Sequence, residues 1–260
     1  MASWNPAQYL TFSEWRTRPS RDLVQRILVQ APRRIVDLGC GPGNSTAVCR
    51  ERWPDASILG LDSSTEMIET ARGTCPSQDW RVADIGDWIQ HALDSERFDV
   101  IFSSAALQWV KGHGDVFPRL VERLNPGGVL AVQMPAYDAI PNRVMRELAA
   151  SESWRRWFPE GRANEWRSHA LEFYRATLAR RARHLDLWAT DYFQVMPHLG
   201  AIVEWYKSTG LRPYLDRIAD ADEQDRFLDD YKARLSPFFP ESEPGIVPFL
   251  FRRIFVVAYV

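Results

Sequence analysis

The sequence predicts an α/β protein: a parallel sheet with helices on both faces, followed by a helical C-terminal half. Three observations carry this expectation. Between residues 34 and 135, short apolar β segments alternate with stretches of helical spacing, the rhythm of βαβ crossovers. A glycine-rich turn, VDLGCGPGNST at residues 36–46, joins the first strand to the first helix of that series. Beyond residue 135 the rhythm changes to longer helical segments, and the chain closes on an apolar strand.

Element by element, residues 35–38 form a short apolar strand, and residues 44–53 have helical spacing. Residues 57–61 form the second strand. Ser63-Ser64-Thr65-Glu66 has the form of a capping box, in which Ser63 and Glu66 satisfy each other's backbone donors. The helix it opens puts Met67, Ile68 and Ala71 on one face. Strands are expected at 80–83 and 98–103, then a helix at 116–124 ended by the turn signal Asn125-Pro126-Gly127-Gly128, then a fully apolar strand at 129–134. Helices follow at 142–158 and 168–183, an extended run at 184–195, helices at 198–208 and 221–235, and a last strand at 253–260. The chain carries no internal repeat, low-complexity tract or long linker, so the second half is expected to pack onto the first.

Bulk properties narrow the classes. A chain of 260 residues with 45% hydrophobic and 25% charged residues suits one large soluble domain, or a core with a second lobe. The net charge of -2 offers no general attraction for nucleic acid or an anionic membrane. Cys40, Cys49 and Cys75 have no metal-ligand or CxxC spacing and read as reduced thiols. The N-terminus has no apolar run of signal-peptide type, and no apolar stretch is long enough to span a bilayer. A cytoplasmic protein is expected. Many of the eleven tryptophans lie beyond residue 150, which points to an aromatic-rich lobe there.

The glycine turn asks for a ligand. Gly39, Gly41 and Gly43 give GxGxG, whereas a dinucleotide fingerprint places its third glycine at position 44, occupied here by Asn44. No lysine follows the loop, which excludes a P-loop. Taken alone, the turn is also compatible with a tight β–α connection that binds nothing. Asp62 ends the second strand, where a carboxylate can accept from both hydroxyls of a ribose; a nicotinamide enzyme would have this too. Asp84 ends the third strand, where an acceptor can meet the exocyclic amine of adenine. Asp37, just before the loop, can order the turn or hold the amino group of an amino-acid moiety, and it would repel a pyrophosphate.

Carboxylates at three strand ends around a GxGxG turn resemble the class I S-adenosylmethionine-dependent methyltransferases. The resemblance implies a Rossmann-like, mostly parallel seven-stranded sheet with an antiparallel strand beside the fifth, supplied by 184–195 and 253–260. It also implies S-adenosylmethionine as cofactor, S-adenosylhomocysteine as product, and no metal. Asp37, Gly39, Gly41 and Gly43 would surround the methionine portion, Asp62 the ribose and Asp84 the adenine, with Tyr9, Asn44, Ser63, Met67, Ile85 and Ser103 completing the set. Residues 1–30 would form a helical segment closing over the cofactor, 31–140 the cofactor-binding core, and 141–260 a helical cap plus the last two strands.

A narrower resemblance, to the trans-aconitate 2-methyltransferase family, runs through Trp4-Asn5-Pro6, Tyr9, Phe12-Ser13, Arg16, Arg18-Pro19, Leu107-Gln108-Trp109, Ala131-Val132-Gln133-Met134-Pro135, Met196-Pro197, Thr209-Gly210-Leu211-Arg212-Pro213 and Arg253. Residues 154–170 depart from it. It implies a small tricarboxylate as acceptor. Such a nucleophile is ionised at neutral pH, so catalysis needs positioning and desolvation rather than a general base. Several carboxylates call for arginines: Arg16, Arg18, Arg212 and Arg253 are expected to bind them, with Gln108, Trp109 and Tyr192 as polar and shaping contacts. Other arginines, such as Arg33, Arg34, Arg180, Arg181 and Arg183, read as solvated surface charge. His113 is expected in an exposed loop, and Trp154, Trp157, Phe158 and Trp166 in cap packing. A monomer is expected. Three alternatives stay open at this point: a small-molecule O- or N-methyltransferase with another acceptor, a binding protein without catalysis, and a nicotinamide dehydrogenase.

Overall fold

The computed structural model describes residues 13–91, 96–160, 168–207 and 209–260. A helix, α1 (Ser13–Arg26), leads into the alternating series: β1 (Arg34–Leu38), α2 (Asn44–Arg52), β2 (Ser57–Asp62), α3 (Thr65–Thr74), β3 (Asp79–Val82), α4 (Ile85–His91) and β4 (Phe98–Ser104). A 3₁₀ turn (Leu107–Trp109), α5 (His113–Glu122) and β5 (Leu124–Pro135) complete it. The second half runs α6 (Ile140–Ala150), α7 (Leu171–Leu178), β6 (His184–Met196), α8 (Leu199–Lys207), α9 (Arg212–Leu215), α10 (Ala221–Leu235) and β7 (Val247–Tyr259).

One seven-stranded sheet results, in the order β3-β2-β1-β4-β5-β7-β6. The first five strands pair in parallel, and β7 enters antiparallel between β5 and β6. Strand alternation divides β5 and β7 between two cores. Leu130, Val132, Ile254, Val256 and Ala258 face α4, α5 and α7, whereas Val129, Ala131, Phe255 and Val257 face α1 and α2. Both faces are thus covered, which is why these strands read as unbroken apolar runs. A third cluster joins α6, α8 and α10 to the outer ends of β6 and β7, with Trp154 and Phe158 fully buried inside it. Those two aromatics pack as expected; Trp166 lies outside the described residues.

Several expectations shift. The cap of α3 is Ser64, one residue later than expected: its Oγ accepts from Met67 N at 3.3 Å and donates to Glu66 at 2.7 Å. Residues 125–128, expected as a turn between the helix and the next strand, instead bulge out of β5, where the pairing with β4 jumps from Phe98↔Leu124 to Val100↔Val129. Asn125 Nδ2 ties this bulge to Asp99 at 2.7 Å. The helix expected over 142–158 stops at Ala150, and the one expected over 168–183 covers Leu171–Leu178. The final strand begins earlier, at Val247, because all of β6 needs a partner.

Candidate active site

The loop after β1 is held from below. Asp37 is fully buried, and its Oδ2 accepts from Ser45 Oγ at 2.6 Å and Thr46 Oγ1 at 2.7 Å in the first turn of α2. Its Oδ1 has no hydrogen-bond partner among the described residues. Burial pushes the Asp37 carboxyl up to about 6, against the two hydroxyl bonds and with a further upward push from Asp62. Gly39 approaches the segment after β4 so closely that a Cβ would stand 2.1 Å from Ala106 Cβ, at a φ of +74°. Gly41 has open space on its outer side and donates its N–H to Asp62 Oδ2 at 2.9 Å. Asp62 Oδ1 accepts from Ser64 N at 2.9 Å. Burial raises the Asp62 carboxyl, opposed by the N–H groups of Ser64, Gly41 and Ser63.

This loop forms one wall of a cavity of about 1080 Å³. Gly39, Gly41, Asp62, Ser63, Met67, Asp84 and Ile85 all line it. They stand at the C-terminal ends of β1, β2 and β3, where ligands enter open α/β sheets. Asp84 also caps α4 through Asp87 N at 3.0 Å. The floor beyond is Ser104, Ala105 and Ala106. Ala105 holds a φ of +57°, which costs a non-glycine residue strain; its carbonyl accepts Gln108 Nε2 at 2.6 Å and so aims Gln108 and Trp109 at the cavity. Gln108 is 2% exposed, and its Oε1 has no hydrogen-bond partner among the described residues.

His113, expected in an exposed loop, is instead the buried first residue of α5. Its Nε2 lies 2.8 Å from the Leu107 carbonyl, and its Nδ1 2.8 Å from the Tyr174 hydroxyl. A carbonyl can only accept, so Nε2 carries the proton and Nδ1 receives the tyrosine O–H. This side chain props the turn that bears Gln108 and Trp109; it does not face the reaction space.

At the far end two arginines converge. Arg16 comes from α1, with its guanidinium 4.7 Å from the Trp205 ring centroid and Nη2 donating to the Trp205 carbonyl at 3.2 Å. Arg253 comes from β7, with Nη1 donating to Gln133 Oε1 at 3.1 Å and the guanidinium 4.4 Å from the Phe251 ring centroid. Gln133 Nε2 donates to Ser104 Oγ at 2.6 Å, and Ser104 pairs with Ser20 of α1 at 2.7 Å. These bonds tie α1 to the sheet beneath the cavity.

The remaining expected residues stand elsewhere. Asp37, Gly43 and Asn44 lie behind the loop, outside the lining. Ser103 turns away from the cavity and donates to Leu38 O at 2.9 Å; alternation along β4 gives its neighbour Ser104 the cavity side. Arg18 lies over the Tyr192 ring at 5.3 Å, and the Tyr192 hydroxyl donates to Asp22 at 2.6 Å, a cluster of α1 and β6 outside the lining. Arg212 also lies outside it, 3.9 Å from Asp216; the Glu66 carboxyl is held below its ordinary range chiefly by the Ser64 hydroxyl, with Arg212 a smaller contributor. Tyr9 lies outside the described residues. Among the described residues, no group of three or more His, Cys, Asp or Glu side chains is placed to hold a metal ion.

A family model described as a methyltransferase domain matches residues 12–188. The chain is 44% identical over 259 residues to a trans-aconitate 2-methyltransferase of Azoarcus sp. (strain BH72), covering 99% of each chain. It belongs to the trans-aconitate 2-methyltransferase family. A trans-aconitate 2-methyltransferase of Escherichia coli (strain 55989 / EAEC) is 42% identical, over 99% of this chain and 98% of its own. Among solved structures, the YcgJ protein of Bacillus subtilis superposes with a TM-score of 0.60 at 14% identity, over 93% of this chain and 98% of its own, a likeness of fold. The fold is that of a class I, Rossmann-like methyltransferase, and family membership sets the dehydrogenase reading aside.

In this family member, sequence reading missed Ser104, Trp205, Tyr206 and Phe251, all of which line the cavity. Gln133 carried a legible signal that the reading of 129–134 as fully apolar passed over: it is the one polar residue in that run. Tyr206 carried none, since a tyrosine in a helix of mixed pattern reads as cap packing.

Proposed function

We propose that this chain methylates a carboxylate of trans-aconitate from S-adenosylmethionine, giving a monomethyl ester and S-adenosylhomocysteine. The observation that carries the reading is identity to trans-aconitate 2-methyltransferases along the whole chain, including the cap half that bears the acceptor end of the cavity. The donor end fits a nucleoside with an amino-acid tail: a carboxylate at a strand end for ribose, a second for adenine, and a buried Asp37 with an oxygen unpartnered among the described residues, beneath a loop that admits close approach. When bound, S-adenosylmethionine supplies an electrophilic methyl group, the S–CH₃ bond breaking with its electron pair left on sulfur as a carboxylate oxygen forms the O–CH₃ bond.

The chain's own residues then have few tasks. Asp62 and Asp84 hold the nucleoside, with Ser63, Met67 and Ile85 beside them, and Asp37 offers its anion to the amino group. Arg16 and Arg253 pair with substrate carboxylates, and Gln108 and Trp109 shape the space between the two ends. No proton has to be removed from an ionised carboxylate, so no residue serves as general base. Orientation in such a site contributes up to about 7–11 kcal/mol to lowering the barrier. We further propose that 31–140 hold the donor and that 141–260, with Arg16 of α1, hold the acceptor, and that the protein is a cytoplasmic monomer; the expected closure over the cofactor by residues 1–30 falls in part on residues 1–12, outside the described residues. Three free thiols support a reducing compartment, and sedimentation of the pure protein and fractionation of its cells test the two claims.

The decisive experiment incubates pure protein with S-adenosylmethionine and trans-aconitate and follows the monomethyl ester by mass spectrometry. Ester formed with turnover is the expected result. Tight S-adenosylhomocysteine binding with no ester would refute the acceptor and keep the cofactor.

A further inference from the structure

Tyr206 lies on α8, 2% exposed, with its ring edge-on to Phe249 and Phe251. It lines the same cavity as Arg16 and Arg253, which are themselves 8% and 4% exposed. Its hydroxyl is buried and has no hydrogen-bond partner among the described residues. The groups within electrostatic reach of that oxygen are the guanidiniums of Arg253 and Arg16, and the Tyr231 hydroxyl, which is bonded to the Pro141 carbonyl at 3.2 Å. Arginine carries donors only, so neither guanidinium can take the tyrosine proton. Burial also drives the Tyr206 hydroxyl well above its ordinary pKa, which keeps it a neutral O–H donor. A buried donor left unmet is costly, and one flanked by two cations is complementary to a single kind of ligand atom, an anionic oxygen.

We propose that the Tyr206 hydroxyl, together with Arg16 and Arg253, anchors a carboxylate of the tricarboxylate that is not the one methylated. The second half of this statement follows from electron demand. Three donors on one carboxylate withdraw its charge, which strengthens binding and weakens it as a nucleophile. The carboxylate that accepts the methyl group is then another of the three, directed away from this cluster toward the strained segment at Ala105 and the Gln108 turn. Tyr206 thereby separates tricarboxylates from acids that lack the anchored group, and the anchor decides which carboxylate is esterified. The inference rests on the proposed acceptor and is tested so that the two can fail separately.

The test is Tyr206→Phe, which removes one oxygen and keeps the ring. With trans-aconitate, KM is expected to rise about 10- to 100-fold, equivalent to about 1.4–2.8 kcal/mol, with kcat within about two-fold of the parent. The dissociation constant of S-adenosylhomocysteine, measured by calorimetry, stays the same. The melting temperature of the free protein stays equal or rises, because the lost hydroxyl had no partner there; a structural tyrosine would move it down. Among unsaturated dicarboxylates that each lack one of the three carboxylates, the one missing the anchored group is expected to bind the parent weakly and to be indifferent to the substitution. An unchanged KM, a fall in kcat at constant KM, a lowered melting temperature accompanying the loss, or equal sensitivity of every dicarboxylate overturns the assignment. If the parent makes no ester, calorimetry with trans-aconitate in the presence of S-adenosylhomocysteine separates the claims. Binding by the parent that Tyr206→Phe weakens keeps the anchor while the acceptor reading fails; no binding by the parent overturns both.

Discussion

Asp37 allows a stability effect and a binding effect of opposite sign to be read from one substitution. Its carboxyl is fully buried, with one oxygen bonded to Ser45 and Thr46 and the other without a partner among the described residues, and burial raises it from an ordinary 3.8 to about 6. A carboxyl so raised keeps its proton in the native protein at pH values where the unfolded chain has released it. Its contribution to stability is therefore most favourable below about pH 4, declines as pH climbs through the window from 3.8 to about 6, and is a full penalty above it. At about 1.4 kcal/mol per pH unit, that window corresponds to about 3 kcal/mol. Asp37→Asn preserves the shape and an oxygen for the Ser45 and Thr46 hydroxyls while removing the charge. In denaturant titrations from pH 4 to 8, the variant is expected to be more stable than the parent by up to about 3 kcal/mol at pH 7.5, with the gap closing toward pH 4. Its affinity for S-adenosylmethionine is expected to fall, because the anion that would meet the amino group is gone. A gap that does not vary with pH, or a variant less stable at pH 7.5, would refute the desolvation argument.

Three further outcomes follow from the same geometry. Asp62→Ala should weaken S-adenosylhomocysteine binding by about 10-fold or more and also lower the melting temperature, since Gly41 N–H and Ser64 N–H lose their acceptor; a folded variant of full affinity would remove Asp62 from the donor site. Arg253→Lys retains charge but not the planar fork that reaches Gln133, so KM for the acid should rise about 10-fold with donor affinity intact, and equal loss of both in steady-state kinetics and calorimetry would indicate a misfolded sheet instead. Gly39→Ala places a methyl against Ala106 at a left-handed φ and should cost about 2–4 kcal/mol in denaturant unfolding; a variant as stable as the parent would show that the segment after β4 yields freely.

What the sequence by itself determined was everything written in local periodicity and turn chemistry. The central parallel strands are short apolar runs because both faces are covered, so the order of strands through β5 could be read directly, whereas the short helix α4 between β3 and β4 was not read. The GxGxG turn and the carboxylates at three strand ends were legible for the same reason: they sit where a strand stops, at positions that pattern marks. Even there the local signal left a residue of play, as when Ser64 rather than Ser63 took the cap of α3.

The acceptor end was decided by tertiary structure. Arg16 and Arg253 meet although they stand far apart in the chain, because α1 packs against the sheet while β7 inserts between β5 and β6. Arg18 and Arg212, in motifs that look equally suitable, are carried outside the lining by that same packing. His113 is buried in part because α7 brings Tyr174 over it, and no pattern around residue 113 encodes a partner 61 positions away. Tyr206 faces the cavity through the docking of α8 on Phe249 and Phe251. A sequence specifies which side chains exist and how they recur along an element; which of them converge depends on burial between elements, a non-local quantity set by the whole fold at once.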